Sequence, residues 1–222
     1  MFFSLINYAF ESQEQRERFV SQLASTVIPR LNEQGIDRVG AFEESGQSES
    51  IYLVLPHQTI DASVAVRDEG PINLGNLEAH DLAMDSTYVT ASRSLLRGLD
   101  FMAGFELPIS TPTRVFQLRT YENPTEIARQ KKIQMFRHGE FEIFRRVGLA
   151  PVFFTETLFG TGLPSLTYML SFDGVVALES AWDRFVKDPE WKTMIERPDY
   201  SDDLLIRSIR NEVLFPTEAS QM

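Results

Sequence analysis

The residues of this chain that could do chemistry are charged or phenolic side chains set in apolar surroundings. Glu140, in MFRHGEFEIFRR, lies four residues from Phe136 and four from Phe144, on the apolar face of a helix. A carboxyl group held there is partly buried, which raises its pKa and is a common route to a general acid or base. The competing reading is a side chain that reaches the helix edge or pairs with a nearby Arg. Arg119, in VFQLRTYE, shares one strand face with Gln117 and Tyr121, opposite Phe116 and Leu118. If the apolar side packs on helices, the polar side points into a barrel, where the guanidinium can hold a carboxylate in a forked geometry. Its alternative partner is Glu156, a charge alternating with Phe154 and Leu158 on a neighbouring strand.

Tyr168 completes a set in which Glu140 abstracts a proton while Arg119 and Tyr168 stabilise the resulting anion. Core packing is the competing role for this tyrosine. The candidate catalytic residues are therefore Glu140, Arg119 and Tyr168, and the candidate ligand contacts are Tyr121, Glu156, Gln117 and His138. His138 precedes Gly139 and suits a base or ligand contact as well as a surface or capping histidine. The chain has three His and no Cys, and no paired His spacing indicates a metal site. Haem would need His138 or His57 as axial ligand, and no cofactor is implied. No Gly-rich phosphate loop, nucleophile elbow or HExxH motif occurs, which removes the common nucleotide enzymes and hydrolases.

These side chains must be positioned by a unit that occurs twice. Phe3, Leu5 and Tyr8 match Phe116, Leu118 and Tyr121, each 113 positions apart, and the same spacing carries Leu31 to Phe144 and Gly35 to Gly148. It also sets Val27 against Glu140 and Ile6 against Arg119. Past the next turn the spacing lengthens to 116, aligning Tyr52 with Tyr168 and Val54 with Leu170 and placing an insertion near Gly160 to Gly162. Each copy reads strand, helix, strand, strand, helix, strand, the ferredoxin-like order.

In the first copy the strands are Phe2 to Tyr8, Ile36 to Glu43 and Ser50 to Leu55, the last two joined by the polar turn EESGQSE. Ser12 and Gln15 start the first helix. DEGPINLGN interrupts the segment after His57, a helix is expected over Asp85 to Leu99, and a strand near Phe101 to Ile109. STPT, residues 110–113, is the linker, so the domains are 1–109 and 114–222. In the second copy Asn123, Pro124 and Glu126 predict a helix start, Gly148 its stop, Ala150 to Phe159 and Ser165 to Phe172 two strands. Asp173 is the expected cap of the next helix, Asp188 and Pro189 start a short one, and Ile206 to Phe215 is the closing strand. The tail PTEASQM orders only if it docks. The fold class is α+β, two ferredoxin-like repeats packed sheet to sheet as a pseudo-symmetric barrel.

Composition narrows the partners. A net charge of −11 disfavours nucleic acid and anionic membranes. No apolar run reaches the ~18 residues of a membrane span, and MFFSLINYAF lacks the basic start and cleavage site of a signal peptide. A cytoplasmic protein is expected, with a small-molecule ligand and, as further options, a homo-oligomer or a protein partner. Seventeen Phe against two Trp, within 43% hydrophobic residues, mark a folded core.

The second half resembles the NIPSNAP family of the dimeric α/β barrel group. The residues that carry the likeness are VFQLRTYE at 115–122, MFRHGEFEIFRRVGLAPVFFTETL at 135–158, LTYMLSFD at 166–173 and AWDRFVKDPEWK at 181–192. The first half resembles the weaker N-terminal repeat of two-copy bacterial members through IPRLNEQGIDRVGAF and IYLVLPH, and departs after His57. The resemblance implies the barrel and no particular reaction. Three readings follow: a binder of a small apolar or aromatic molecule in the barrel cavity, a cofactor-free monooxygenase or isomerase, and a non-enzymatic interaction scaffold.

Overall fold

Alternating apolar residues give the strands, and the structure, a computed structural model describing residues 1–44, 50–68, 89–102 and 104–222, arranges eight of them. They are β1 (Phe2–Ala9), β2 (Gly40–Glu44), β3 (Ser50–His57), β4 (Thr90–Gly98), β5 (Val115–Glu122), β6 (Ala150–Phe159), β7 (Ser165–Phe172) and β8 (Ser208–Pro216). The helices are α1 (Gln13–Gln22), α2 (Ile28–Glu33), α3 (Ile60–Asp68), α4 (Glu126–Met135), α5 (Phe141–Val147), α6 (Val175–Lys187), α7 (Pro189–Ile195) and α8 (Asp202–Leu205). The strands follow the closed order β1-β3-β2-β8-β5-β7-β6-β4, so the fold is an α+β barrel. The chain divides into two units, residues 1–96 with 215–222, and residues 97–214.

In the first unit β1 pairs antiparallel with β3, and β3 with β2. Val89 donates its backbone N–H to Ala9 O, bringing β4 to the other side of β1. The helix expected over Asp85 to Leu99 is therefore a strand over its described part, and the later strand near Phe101 to Ile109 does not form. Pairing with β1 outweighs local propensity here. The run GPINLGN and most of the EESGQSE turn lie outside the described residues. Ser12 caps α1 as expected, its hydroxyl accepting from Gln15 N at 3.2 Å, while Gln15 Oε1 accepts from Glu11 N. The core is apolar and includes Ile6, Phe19, Leu23, Val27, Leu31 and Leu53. Residues 217–222 dock on β2: Thr217 N donates to Ala41 O, Gln221 N to Val39 O, and Ala41 N to Ser220 Oγ.

In the second unit β5 pairs with both β7 and β8, and β7 with β6, giving β8-β5-β7-β6. Thr125, not Asn123, caps α4, accepting from Ala128 N at 3.1 Å. Asn123 is occupied elsewhere, donating to Leu205 O at 2.6 Å. Gly174 likewise replaces Asp173 as the cap of α6, because the Asp173 carboxylate accepts from Thr111 and Thr113. Asp188 does cap α7, accepting from the N–H groups of Glu190 and Trp191.

The helix after the first strand breaks in the same place in both units. A π-helical turn covers Leu23–Val27 in one and Phe136–Glu140 in the other, 113 positions apart like the helices around it. Pairing registers fix the rest of the correspondence. Ile6 faces Leu53 across β1 and β3, and Arg119 faces Tyr168 across β5 and β7. Since Ile6 corresponds to Arg119, Leu53 corresponds to Tyr168, a spacing of 115 and not 116. Tyr52 instead matches Thr167. The sequence aligned two tyrosines by type, and one residue of slip in a strand moves a side chain to the other face.

Candidate functional site

The second unit holds its candidate residues between the sheet and the helices. Gln117, Arg119 and Tyr121 alternate along one face of β5, and that face meets α6 and the π turn, not a barrel interior as expected. Trp182 Nε1 donates to Gln117 Oε1 at 2.6 Å, and the Arg119 guanidinium lies 4.5 Å from the Trp182 ring. Tyr121 stacks on Phe136 with centroids 6.5 Å apart. The aromatic helix side chains need a broad face to pack on, and long polar residues with flat or phenolic ends supply it.

Glu140, at the end of the π turn, is 2% exposed and paired with a residue the sequence reading missed. Lys132, one helical element earlier and 1% exposed, puts Nζ 3.0 Å from Glu140 Oε2 and 3.2 Å from Oε1. The same ammonium lies 4.9 Å from the Phe136 ring, 5.6 Å from Tyr121 and 5.7 Å from Trp191. Burial raises the Glu140 pKa, and the Lys132 charge opposes that rise. Burial works to lower Lys132, but the Glu140 and Tyr121 oxygens outweigh it and its pKa rises.

Tyr121 and Tyr168 extend the polar chain, their hydroxyls 2.8 Å apart. Tyr168 is fully buried and stacks on Phe154 at 4.6 Å. Burial first, and then Tyr121, push its hydroxyl well above the ordinary tyrosine value, so it stays protonated at neutral pH. Arg119, half-buried, closes the chain, and its Nε–H is buried with no acceptor. An unsatisfied buried donor beside phenols and a carboxylate is an unused contact for an anion or a carbonyl.

Glu156 belongs elsewhere. It does not pair with Arg119; it accepts from Arg97 and Arg129. The first unit repeats the helix-to-strand part of this arrangement, with Arg16 on Glu43 at 2.7 Å, and both residues lie 113 positions before Arg129 and Glu156. His138 is exposed and borders an open pocket on the outer side of the π turn. The structure thus brings together Glu140, Arg119, Tyr121, Tyr168 and Gln117, and sets Glu156 and His138 apart. Lys132 was findable by the spacing that exposed Glu140, because it stands where the first unit has Phe19.

That comparison defines the site. Arg119, Lys132, Glu140 and Tyr168 occupy the positions of Ile6, Phe19, Val27 and Leu53, all four in the apolar core of the first unit. Among the described residues no group of three or more His, Asp or Glu could hold a metal. Nor is any described helix long and apolar enough to cross a membrane.

A barrel of two ferredoxin-like units with one charged core is the class that structure and site define. Residues 116–221 match the NIPSNAP family model, and this half of the chain is a NIPSNAP domain. Among solved structures, a candidate monooxygenase from Lactobacillus acidophilus is 14% identical with a TM-score of 0.59, over 99% of this chain and 96% of that one. Another candidate monooxygenase, from Fusobacterium nucleatum, is 5% identical with a TM-score of 0.62, over 97% and 91%. A NIPSNAP family protein from Agrobacterium tumefaciens is 17% identical with a TM-score of 0.44, over 53% of this chain and 98% of its own. The first two likenesses are likenesses of fold. No curated protein matches the sequence.

Proposed function

We propose that the second unit binds a small apolar or aromatic molecule between its sheet and its helices. Arg119, Lys132, Glu140, Tyr121 and Tyr168 supply the polar contacts, and the first unit is its structural twin. The observation that supports this is the set of four positions where one unit carries an apolar core and the other a charged and phenolic one. Burying charge costs several kcal/mol per ion, roughly, before pairing offsets it. A fold that closes with Ile, Phe, Val and Leu at these positions does not need that cost for its own sake. The rings of Phe136, Phe144, Phe154 and Trp182 pack on one another around these groups, with centroids 4.9 to 6.0 Å apart, so a flat apolar ligand would have to exchange places with part of this aromatic layer. Gln117 orients Trp182, and Glu156 ties α4 to β6. The acidic, cysteine-free composition fits a cytoplasmic setting.

Native mass spectrometry of the protein as purified from cells tests the reading. The wild type is expected to carry a mass adduct lost on denaturation, and the Lys132→Phe/Glu140→Val double variant, which copies the first unit, is expected to lack it. Equal adducts on both proteins, or bare chains in both, would overturn it.

A second reading is favoured by the raised Glu140 carboxyl standing beside an unsatisfied Arg119 donor. It is a cofactor-free isomerisation, in which Glu140 takes a proton from one carbon and returns it to another while Arg119 and Tyr168 hold the anion formed between. A rate limb on the acid side that disappears in Glu140→Gln is the expected signature. An unchanged pH profile in that variant would sink it.

A further inference from the structure

Outside the buried network, the second unit has a pocket of about 420 Å³, within the size range of sites for small ligands. His138 of the π turn forms one side, α7 contributes Thr193 and Met194, and Arg197 and Tyr200 follow it. The helix is not helical where it meets this pocket, since His138 has φ −92° and ψ 16°, and Gly139 has φ 145°. That break turns the exposed imidazole outward from the helix course. Gly139 also lets Met194 come close, because a Cβ there would sit 2.9 Å from Met194 Cε.

The floor is apolar and firmly seated. Tyr200 is buried in a cluster with Ala128, Met135 and Leu205, against which Met194 and Trp191 pack. Met135 in turn touches the Lys132 ammonium, so the pocket and the buried network are separated by one layer of side chains. Arg197 stands at the rim with its guanidinium 4.3 Å over the Tyr200 ring. Its carboxylate neighbour Asp199 is held at 3.4 Å and is shared with Lys131 at 2.6 Å. Asp199 takes the Nε and Nη2 edge of the guanidinium and, being shared with Lys131, neutralises Arg197 only in part, so the outer Nη1 and Nη2 edge is the one open to a second anion. Glu190, the pocket's acidic group, is engaged by Arg146 at 3.0 Å.

We propose that this pocket binds a small aromatic or apolar monoanion, its ring against Met194 and Tyr200 and its carboxylate on Arg197, with His138 closing the opposite side. This site is independent of the one between sheet and helices. The ligand is a single carboxylate on a flat body. A stacked guanidinium with one open edge offers one forked contact, the Glu190 carboxylate is already held by Arg146, and the rest of the lining offers dispersion.

Calorimetric titration of the full chain with 2-naphthoate and with its neutral analogue 2-naphthamide tests the assignment. Naphthoate is expected to saturate one site per chain and naphthamide to bind about tenfold more weakly, the worth of one charge-assisted contact. Arg197→Gln should bring the two ligands together, and Thr193→Trp, a change at an exposed helix position, should fill the pocket and abolish both. Absence of saturable binding, equal affinity for the two ligands in the wild type, or full binding in Thr193→Trp would each overturn the proposal. The Lys132→Phe/Glu140→Val variant separates the two sites. Naphthoate binding retained there supports the outer pocket, whereas binding lost there and kept in Thr193→Trp assigns the ligand to the inner site and refutes this one. A cooperative thermal melt at or above the wild-type temperature establishes that each variant is folded.

Discussion

Removing the Glu140 carboxyl alone leaves the Lys132 ammonium stranded among Phe136, Tyr121 and Trp191, with its main partner gone. Glu140→Val is therefore expected to destabilise the protein by about 3–5 kcal/mol, and the double variant with Lys132→Phe to be neutral or more stable by about 1–4 kcal/mol. Urea unfolding of both variants checks this, and a double variant as unstable as the single one would show that the pair is structural. Glu140 was legible in the sequence because a charge replaced Val27 at constant spacing. Lys132 was open to the same comparison, since it stands where Phe19 does, but Lys131 beside it gives the pair the look of a solvated face, and only the helix phase shows that one of them points inward. His57 carries a separate prediction. It is 2% exposed, hydrogen-bonded to Ser4 Oγ at 3.0 Å, and lowered from 6.5 to about 4 by burial and by the charge of Arg93. The unfolded chain binds the proton first, so stability falls as pH drops from 6.5 towards 4, by less than about 1.4 kcal/mol per pH unit. His57→Phe, which copies Phe172, is expected to flatten that slope in a series of melts across this range.

The π turns show how an element and not a residue sets the site. In both units the turn lets the helix change phase at one point, and in the second it delivers Glu140 inward and His138 outward within three residues. Thr26 stands where Gly139 does, and only the second unit's turn has the left-handed residue. Gly139→Ala is expected to cost about 1–3 kcal/mol, from backbone strain and displacement of Met194, read as a lower melting temperature. An unshifted melt would mean that the turn relaxes to the regular form of its twin. Helix and strand positions in the second half were readable from caps and alternation. The π turns were not, because a single widened turn leaves the spacing of apolar residues on either side unchanged. The Tyr52 to Tyr168 alignment failed for a related reason: insertions in a hairpin are invisible to residue type, and the ladder alone decides register. Asn123 and Asp173 misled as caps because distant partners, Leu205 O and the Thr111 and Thr113 hydroxyls, claim their side chains.

At the scale of the molecule, the order β4-β1-β3-β2 recurs as β8-β5-β7-β6, and duplication made that architecture legible from the sequence. The strand at Thr90–Gly98 was hidden because only one of its residues is buried and it carries little apolar pattern. The placement of residues 215–222 in the first unit was hidden too, since nothing in PTEASQM names its acceptor. Ala219 and Met222 are buried there, and Gln221 bonds Val39 through both its backbone and its side chain. Deleting residues 217–222 is expected to lower amide protection in β2 selectively and to leave β5 and β7 unchanged, as hydrogen exchange would report. Uniform loss across both units, or none, would contradict it. The docking also has a consequence for biosynthesis. A ribosome emits residues 1–96 before residues 97–214, so most of the first unit is outside long before residues 215–222 have been translated. The unit begun earlier can be completed only after the other has been made, and until then β2 offers its open backbone to whatever chaperone or neighbouring chain is at hand.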